Sequence, residues 1–277
     1  MKQLVVNADD FGFTRDVNRG IVKAHTDGIL TATTLMANGD AFDDAISLSR
    51  DNPALDIGCH LVLIGGRSLV NPDRRLPASI REMAQAVLLR RLNPYEEFRA
   101  QVEKILAAGV TPTHLDTHKH THLLPRVLEA VARLSEEYSI RWVRRPFDFP
   151  MTAYSESVPA VKRMTSQSLT MVRRRFHTVL EKHGCRTTDH FAGFQITGRF
   201  GATELQTLFR ELPDGSTEFM CHPGFCTPEL ISAQTRLKES RELELQALTD
   251  PMVRRTLGQL GVTIVNYRDL AAGRFSR

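Results

Sequence analysis

The chain has 277 residues, 42% of them hydrophobic and 25% charged, enough apolar surface for a large core, which excludes a disordered polar tract. Its 36 basic residues nearly balance 32 acidic ones, so the net charge of +4 is only a weak pull toward anionic partners, and no nucleic-acid partner is expected. Four cysteines, at 59, 185, 221 and 226, form no Cys-x-x-Cys pair and read as free thiols, while the apolar run Leu4–Val6 is too short for a secretory leader or a membrane span. A soluble cytoplasmic protein is expected.

The first expected strand, Gln3–Asn7, runs straight into Asn7-Ala8-Asp9-Asp10-Phe11-Gly12. Adjacent carboxylates at the end of a buried strand are costly unless a metal or hydrogen bonds satisfy them. Successive strand residues point oppositely, so with a turn there one Asp can bind metal and the other face substrate; a capped turn before a helix is the alternative. A helix over Asn18–His25, a strand over Leu30–Met36 and a helix over Ala41–Arg50 lead to a strand, Asp56–Leu63, that carries His60. An exposed loop with Gly65-Gly66-Arg67 follows, then a helix over Pro94–Ala108 that Asn93-Pro94 starts and Gly109 stops.

The strand Thr113–Thr117 opens into His114-Leu115-Asp116-Thr117-His118-Lys119-His120-Thr121-His122, which holds four of the ten histidines. In an extended chain Asp116, His118, His120 and His122 share one face, and imidazole with carboxylate is a ligand set for Zn²⁺ and related transition metals. Further on come a helix over Pro125–Tyr138, a strand over Arg141–Val143, an insert around Phe147–Pro159, and helices over Ala160–Lys182 and Ala202–Leu212. The strand Thr217–Cys221 ends in Cys221-His222-Pro223-Gly224, and a helix over Ser240–Leu248 and a strand over Val262–Val265 complete the chain. Strand–helix alternation without a linker or repeat predicts one α/β domain over 1–277, a distorted (β/α) barrel with about seven parallel strands, its site at their C-terminal ends. An open doubly wound sheet is the alternative. In a barrel His222 can join Asp10, His60 and His118, as a candidate acid.

Together, the strings at 7–12, 58–60, 114–122 and 221–224 resemble the YdjC-like carbohydrate deacetylases in order and spacing, almost from end to end. The resemblance implies a distorted barrel with one divalent ion, Zn²⁺ before Mg²⁺, Co²⁺ or Mn²⁺, on Asp10, His60 and His118. It makes Asp9 the catalytic base and His222 the acid, with His120, His122, Asp116 and Arg145 as substrate contacts or supporting groups. Arg144 and Arg145 both resemble the arginine that steadies the base, and Lys119 stands where many relatives carry another His. The implied reaction is removal of acetyl from an N-acetylglucosamine-type sugar. Cys185–Phe191 and Thr197–Arg199 resemble the hopanoid-biosynthesis branch, which implies a hopanoid glycolipid substrate, with chitooligosaccharide as the alternative.

An apolar stripe of Val161, Met164, Val172, Phe176 and Val179, beside Arg173-Arg174-Arg175, suggests peripheral contact at the inner membrane face; an ordinary packed helix is the alternative. A homodimer is left open. The rival readings are a barrel phosphoesterase or amidohydrolase, which a second bridged metal would favour, and a basic binding module with a structural metal.

Overall fold

A computed structural model describes residues 1–151 and 173–273. Eight strands form one parallel sheet: β1 (Lys2–Phe11), β2 (Ala32–Leu35), β3 (Asp56–Leu61), β4 (His114–Thr117), β5 (Trp142–Val143), β6 (His190–Ala192), β7 (Gly215–Cys221) and β8 (Val262–Ile264). Their order is β5-β4-β3-β2-β1-β7-β6, and β8 pairs with Lys2–Leu4 beside the stretch of β1 that holds β2. The two ends of that order meet through parallel bridges Trp142↔Arg186 and Asp148↔Phe191. The sheet therefore curls into the distorted barrel expected from the alternation, and all its C-terminal strand ends lie at one rim.

The connections are helical: α1 (Arg15–Thr26), α2 (Phe42–Asp51), α3 (Ile80–Leu88), α4 (Pro94–Ala107), α5 (Pro125–Glu137), α6 (Arg173–Lys182), α7 (Ala202–Arg210), α8 (Pro228–Ser232), α9 (Glu239–Thr249), α10 (Pro251–Gln259) and α11 (Tyr267–Ala271). Local chemistry sets several of their starts. Thr14 accepts from the Val17 amide, Asn93 from the Tyr95 amide ahead of Pro94, and Asp250 from the Met252 amide ahead of Pro251. The elements not expected are short: β6 has three residues, and α3, α8, α10 and α11, of nine residues or fewer each, lie in stretches for which no element was predicted. Of the expected helix Ala160–Lys182, the part up to Val172 lies outside the described residues, as does 152–159 of the insert.

The period-two pattern of β1 divides the interior. Leu4, Val6 and Ala8 face the helices in the main apolar core. Val5 faces inward and packs with Ala32, Val265 and Tyr267, an apolar floor inside the barrel. Above that floor the lining turns polar, with Asn7, Asp9, His114, Asp116, Arg144 and Glu218 all buried. Tyr267 joins the layers, its ring stacked on His114 at 3.9 Å between centroids. A floor plugged with side chains and a polar upper layer confine chemistry to the rim. Among the described residues no helix is long and apolar enough to cross a membrane.

Candidate active site

The register of β1 against β2 shifts between Ala8 and Phe11, and Asp10 takes a left-handed φ of 71°. This bulge breaks the strict alternation and re-aims both carboxylates at the barrel mouth. The Gly12 amide, donating to Asn18 Oδ1 at 2.6 Å, ties the turn to α1.

Asp10, His60 and His118 converge as the sequence predicts. Asp10 Oδ1 lies 3.3 Å from both His60 Nε2 and His118 Nδ1, and those nitrogens are 3.2 Å apart. Ligands about 2.1 Å from one tetrahedral Zn²⁺ are about 3.4 Å from each other, so the triangle has the dimensions of one face of such a shell. Asp10 Oδ1 is buried and has no hydrogen-bond partner, the position of an atom that awaits a cation. Asp116 Oδ1, 2.6 Å from His60 Nδ1, accepts a hydrogen bond from that nitrogen and orients the ring so that Nε2 faces the triangle. Burial disfavours a charged His60, yet Asp116, Asp9 and Asp10 together hold its imidazole up at about 10. The pocket thus attracts positive charge, which a divalent ion supplies in place of a proton. The donor set and its spacing fit one transition-metal ion, with the His118 side chain, 25% exposed, marking the way to solvent.

Beside the triangle, Arg144 forks onto Asp9, Nη1 donating to Oδ2 at 2.8 Å and Nη2 to Oδ1 at 2.6 Å. The same guanidinium lies 2.8 Å from Asp116 Oδ2 and donates through Nε to Glu218 Oε1 at 2.7 Å. Burial alone would raise the Asp9 pKa, but Arg144 overrides it and keeps the carboxyl ionised far below the usual carboxylate range. One buried cation among three carboxylates makes Asp9 a fixed, oriented anion. Arg145, by contrast, turns away and donates to the Asp189 carbonyl.

The shared face expected for Asp116, His118, His120 and His122 does not form. The strand stops at Thr117, and residues His118–Leu123 wind into a tight turn with Lys119 and His120 at φ of 57° and 52°. His118 therefore meets the triangle, while His120 enters a wall made by Phe191 and Phe194. His122 is buried, accepting from Thr117 Oγ1 and donating from Nε2 to the Arg144 carbonyl at 3.1 Å, a brace for the backbone that carries Arg144.

His222, at the end of β7, places Nε2 3.8 Å from Asp9 Oδ2. Burial holds its imidazole down at about 4, against the pull of Asp9 and Asp10, so the ring is neutral at rest. The turn that carries it is pressed against α1, where a Cβ on Gly20 would lie 2.4 Å from Gly224 Cα. Two groups on α9 had no signature in the sequence. Arg241 donates to Asp10 Oδ2 at 2.5 Å, and Glu244 accepts from the His222 amide at 2.5 Å and the Gly198 amide at 2.8 Å. In Glu239–Thr249 they look like solvated helix charges; only their near-complete burial tells them apart.

Fold and rim together define a parallel (β/α) barrel with a candidate mononuclear metal centre beside an arginine-held carboxylate. The profile of the YdjC-like proteins matches residues 3–259, and the chain belongs to that family. It is 34% identical to a carbohydrate deacetylase of Geobacillus stearothermophilus, covering 96% of each chain. It is 32% identical to a chitooligosaccharide deacetylase of Yersinia enterocolitica, covering 97% of this chain and 99% of that one. In fold it is similar to a crystal structure from Enterococcus faecalis V583 named for cellobiose-phosphate cleavage, with a TM-score of 0.74 at 24% identity over 97% and 98% of the two chains.

Proposed function

We propose that the protein is a metal-dependent hydrolase that removes the acetyl group from an N-acetylglucosamine-type sugar. The observation that carries the reading is the solvent-reached triangle of Asp10, His60 and His118 set against Asp9 and His222. Relatives named carbohydrate deacetylase, aligned over nearly the full length of both chains, support the same reaction.

Asp10, His60 and His118 would hold the ion, with Zn²⁺ the expected occupant from the nitrogen-rich donor set. When bound, it supplies Lewis-acid polarisation of the acetyl carbonyl. Asp9 accepts a proton from the attacking water at a carboxylate oxygen, and Arg144 keeps that oxygen aimed. His222 Nε2 returns a proton to the departing nitrogen, which otherwise leaves poorly as an anion. Because the ring rests neutral, that proton is gained within the cycle, and Asp9 Oδ2 is the nearby source. Glu244 holds the His222 amide and so fixes where the proton is delivered.

For the substrate we favour a hopanoid-linked N-acetylglucosamine, as the resemblance at Cys185–Phe191 and Thr197–Arg199 implies. In support, Phe191 edges His120, and Gly198 shares Glu244 with His222, so both segments border the candidate site. The relative from Yersinia enterocolitica favours short chitooligosaccharides as the second reading. Free acetate measured with each substrate, with and without a chelator and with Zn²⁺ restored, tests all of this. Chelator-sensitive release is expected, faster from the glycolipid. Release that ignores chelation, or none from either substrate, overturns the proposal.

A further inference from the structure

The residues between β3 and α4 carry more charge and exposed apolar surface than the deacetylase reading uses. From Arg74 to Arg91 there are five arginines and one acid, Glu82, so this single stretch carries +4, equal to the net charge of the entire chain. Within it α3 turns Met83 and Val87 into the core. Along the edge of that buried pair runs a second apolar row: Ile80 and Leu88, two turns apart with Ala84 between them, are 54% and 69% exposed, and the adjoining Leu89 is 58% exposed. The apolar sector of α3 is thus wider than the core covers, and its outer edge stays open to solvent among the described residues.

The location of the patch matters as much as its make-up. Leu76 packs with Met36 and Val62, which stand one residue beyond the ends of β2 and β3, so the segment is pinned to the rim that carries His60. Arg74 donates to the Arg91 carbonyl and Arg126 to the carbonyls of Val87 and Leu88. These contacts bring arginines from the loop and from α5 around the exposed leucines, and Arg133 lies nearby, stacked over Tyr95.

We propose that this face docks on an anionic lipid bilayer, with Leu88, Leu89 and Ile80 entering the interface and the surrounding arginines meeting lipid phosphates. Charge complementarity selects this occupant. A second copy would set +4 against +4, and a small anion would leave the outward leucines in water. An apolar strip ringed by guanidiniums matches the layered chemistry of a membrane surface, acyl chains beneath phosphates. Docking there holds the catalytic rim beside the bilayer, the approach required by a lipid-linked sugar. The inference rests on the proposed function only for its purpose; the lipid contact stands or falls separately.

The test is flotation of the full chain with vesicles of phosphatidylcholine alone and with 30% phosphatidylglycerol, about one lipid in three anionic. The protein floats with the anionic vesicles, not the neutral ones, and about 0.5 M salt releases most of it. The Leu88→Ser/Leu89→Ser pair lowers partitioning about tenfold or more, and Arg90→Gln and Arg91→Gln lower it about fivefold each. Acetate release from a water-soluble chitooligosaccharide stays unchanged in all these variants, so a failed deacetylase reading and a failed docking reading give different results. No flotation, flotation that ignores these substitutions, flotation lost instead through Arg173→Gln/Arg174→Gln, or capture by an acidic protein in place of vesicles overturns the proposal.

Discussion

Replacing Asp9 by Asn removes one charge and leaves the side-chain shape, so it separates the base from the metal ligands. The carboxylate takes two Arg144 donors, at 2.8 and 2.6 Å, and an amide can accept only one, its NH₂ facing a guanidinium N–H. Arg144 keeps Asp116 at 2.8 Å and Glu218 at 2.7 Å, so the guanidinium stays paired and the fold survives. Losing one charge-assisted hydrogen bond in a buried site costs about 1.5–3 kcal/mol, a fall in Tm of roughly 3–12 °C for a chain near this size. Without its proton acceptor the chemical step slows about a hundredfold to ten-thousandfold. Single-turnover acetate release, calorimetric Zn²⁺ titration and a thermal melt measure the three effects. The variant binds Zn²⁺ with near wild-type affinity, because Asp10, His60 and His118 are untouched. Near-normal turnover in Asp9→Asn would refute the assignment of this residue as base, and loss of Zn²⁺ binding would refute its separation from the ligands.

His60→Ala removes a ligand and the partner of Asp116, so both Zn²⁺ binding and acetate release disappear; retention of either in titration and turnover assays contradicts the triangle. Glu218 is pushed up to about 7 by burial, which the Arg144 charge only partly offsets. A carboxyl raised on folding stabilises below its unfolded pKa and loses that contribution as pH climbs toward 7, so the wild-type Tm falls over roughly pH 4.5–7 by the equivalent of at most about 3 kcal/mol from this group. Glu218→Gln keeps an acceptor for Arg144 Nε and makes that decline shallower, and an unchanged slope in melts across the range counts against the shift. Gly20→Ala drives a Cβ to 2.4 Å from Gly224 Cα, so α1 or the His222 turn must move. The strain costs about 1–3 kcal/mol, and kcat drops more than Zn²⁺ affinity; equal losses in both would mean that the triangle, and not the His222 turn, had moved.

The convergence of Asp10, His60 and His118 could be anticipated from the chain because the chemistry of these candidate donors is written locally. Asp9-Asp10 and His60 end apolar runs that can only be buried strands, and parallel strands collect such ends at one rim. The finer reading of residues 116–122 failed because alternation presumes an extended backbone, whereas Lys119 and His120 adopt left-handed angles. Nothing in the residue types announces that turn. The doublet Arg144-Arg145 likewise marked an arginine near the base without telling which one. β5 settles this by sending Arg144 inward to Asp9 and Arg145 to the Asp189 carbonyl.

The sequence by itself determined the donor types and the strand ends that carry them, since apolar runs and His–Asp clusters act over a few residues. Only the tertiary structure decided what surrounds those donors: Arg144 reaches Asp9 across 135 residues and Arg241 reaches Asp10 across 231. A charged side chain reads the same in a helix pattern whether water or a buried carboxylate neutralises it, and closure of the barrel makes that choice.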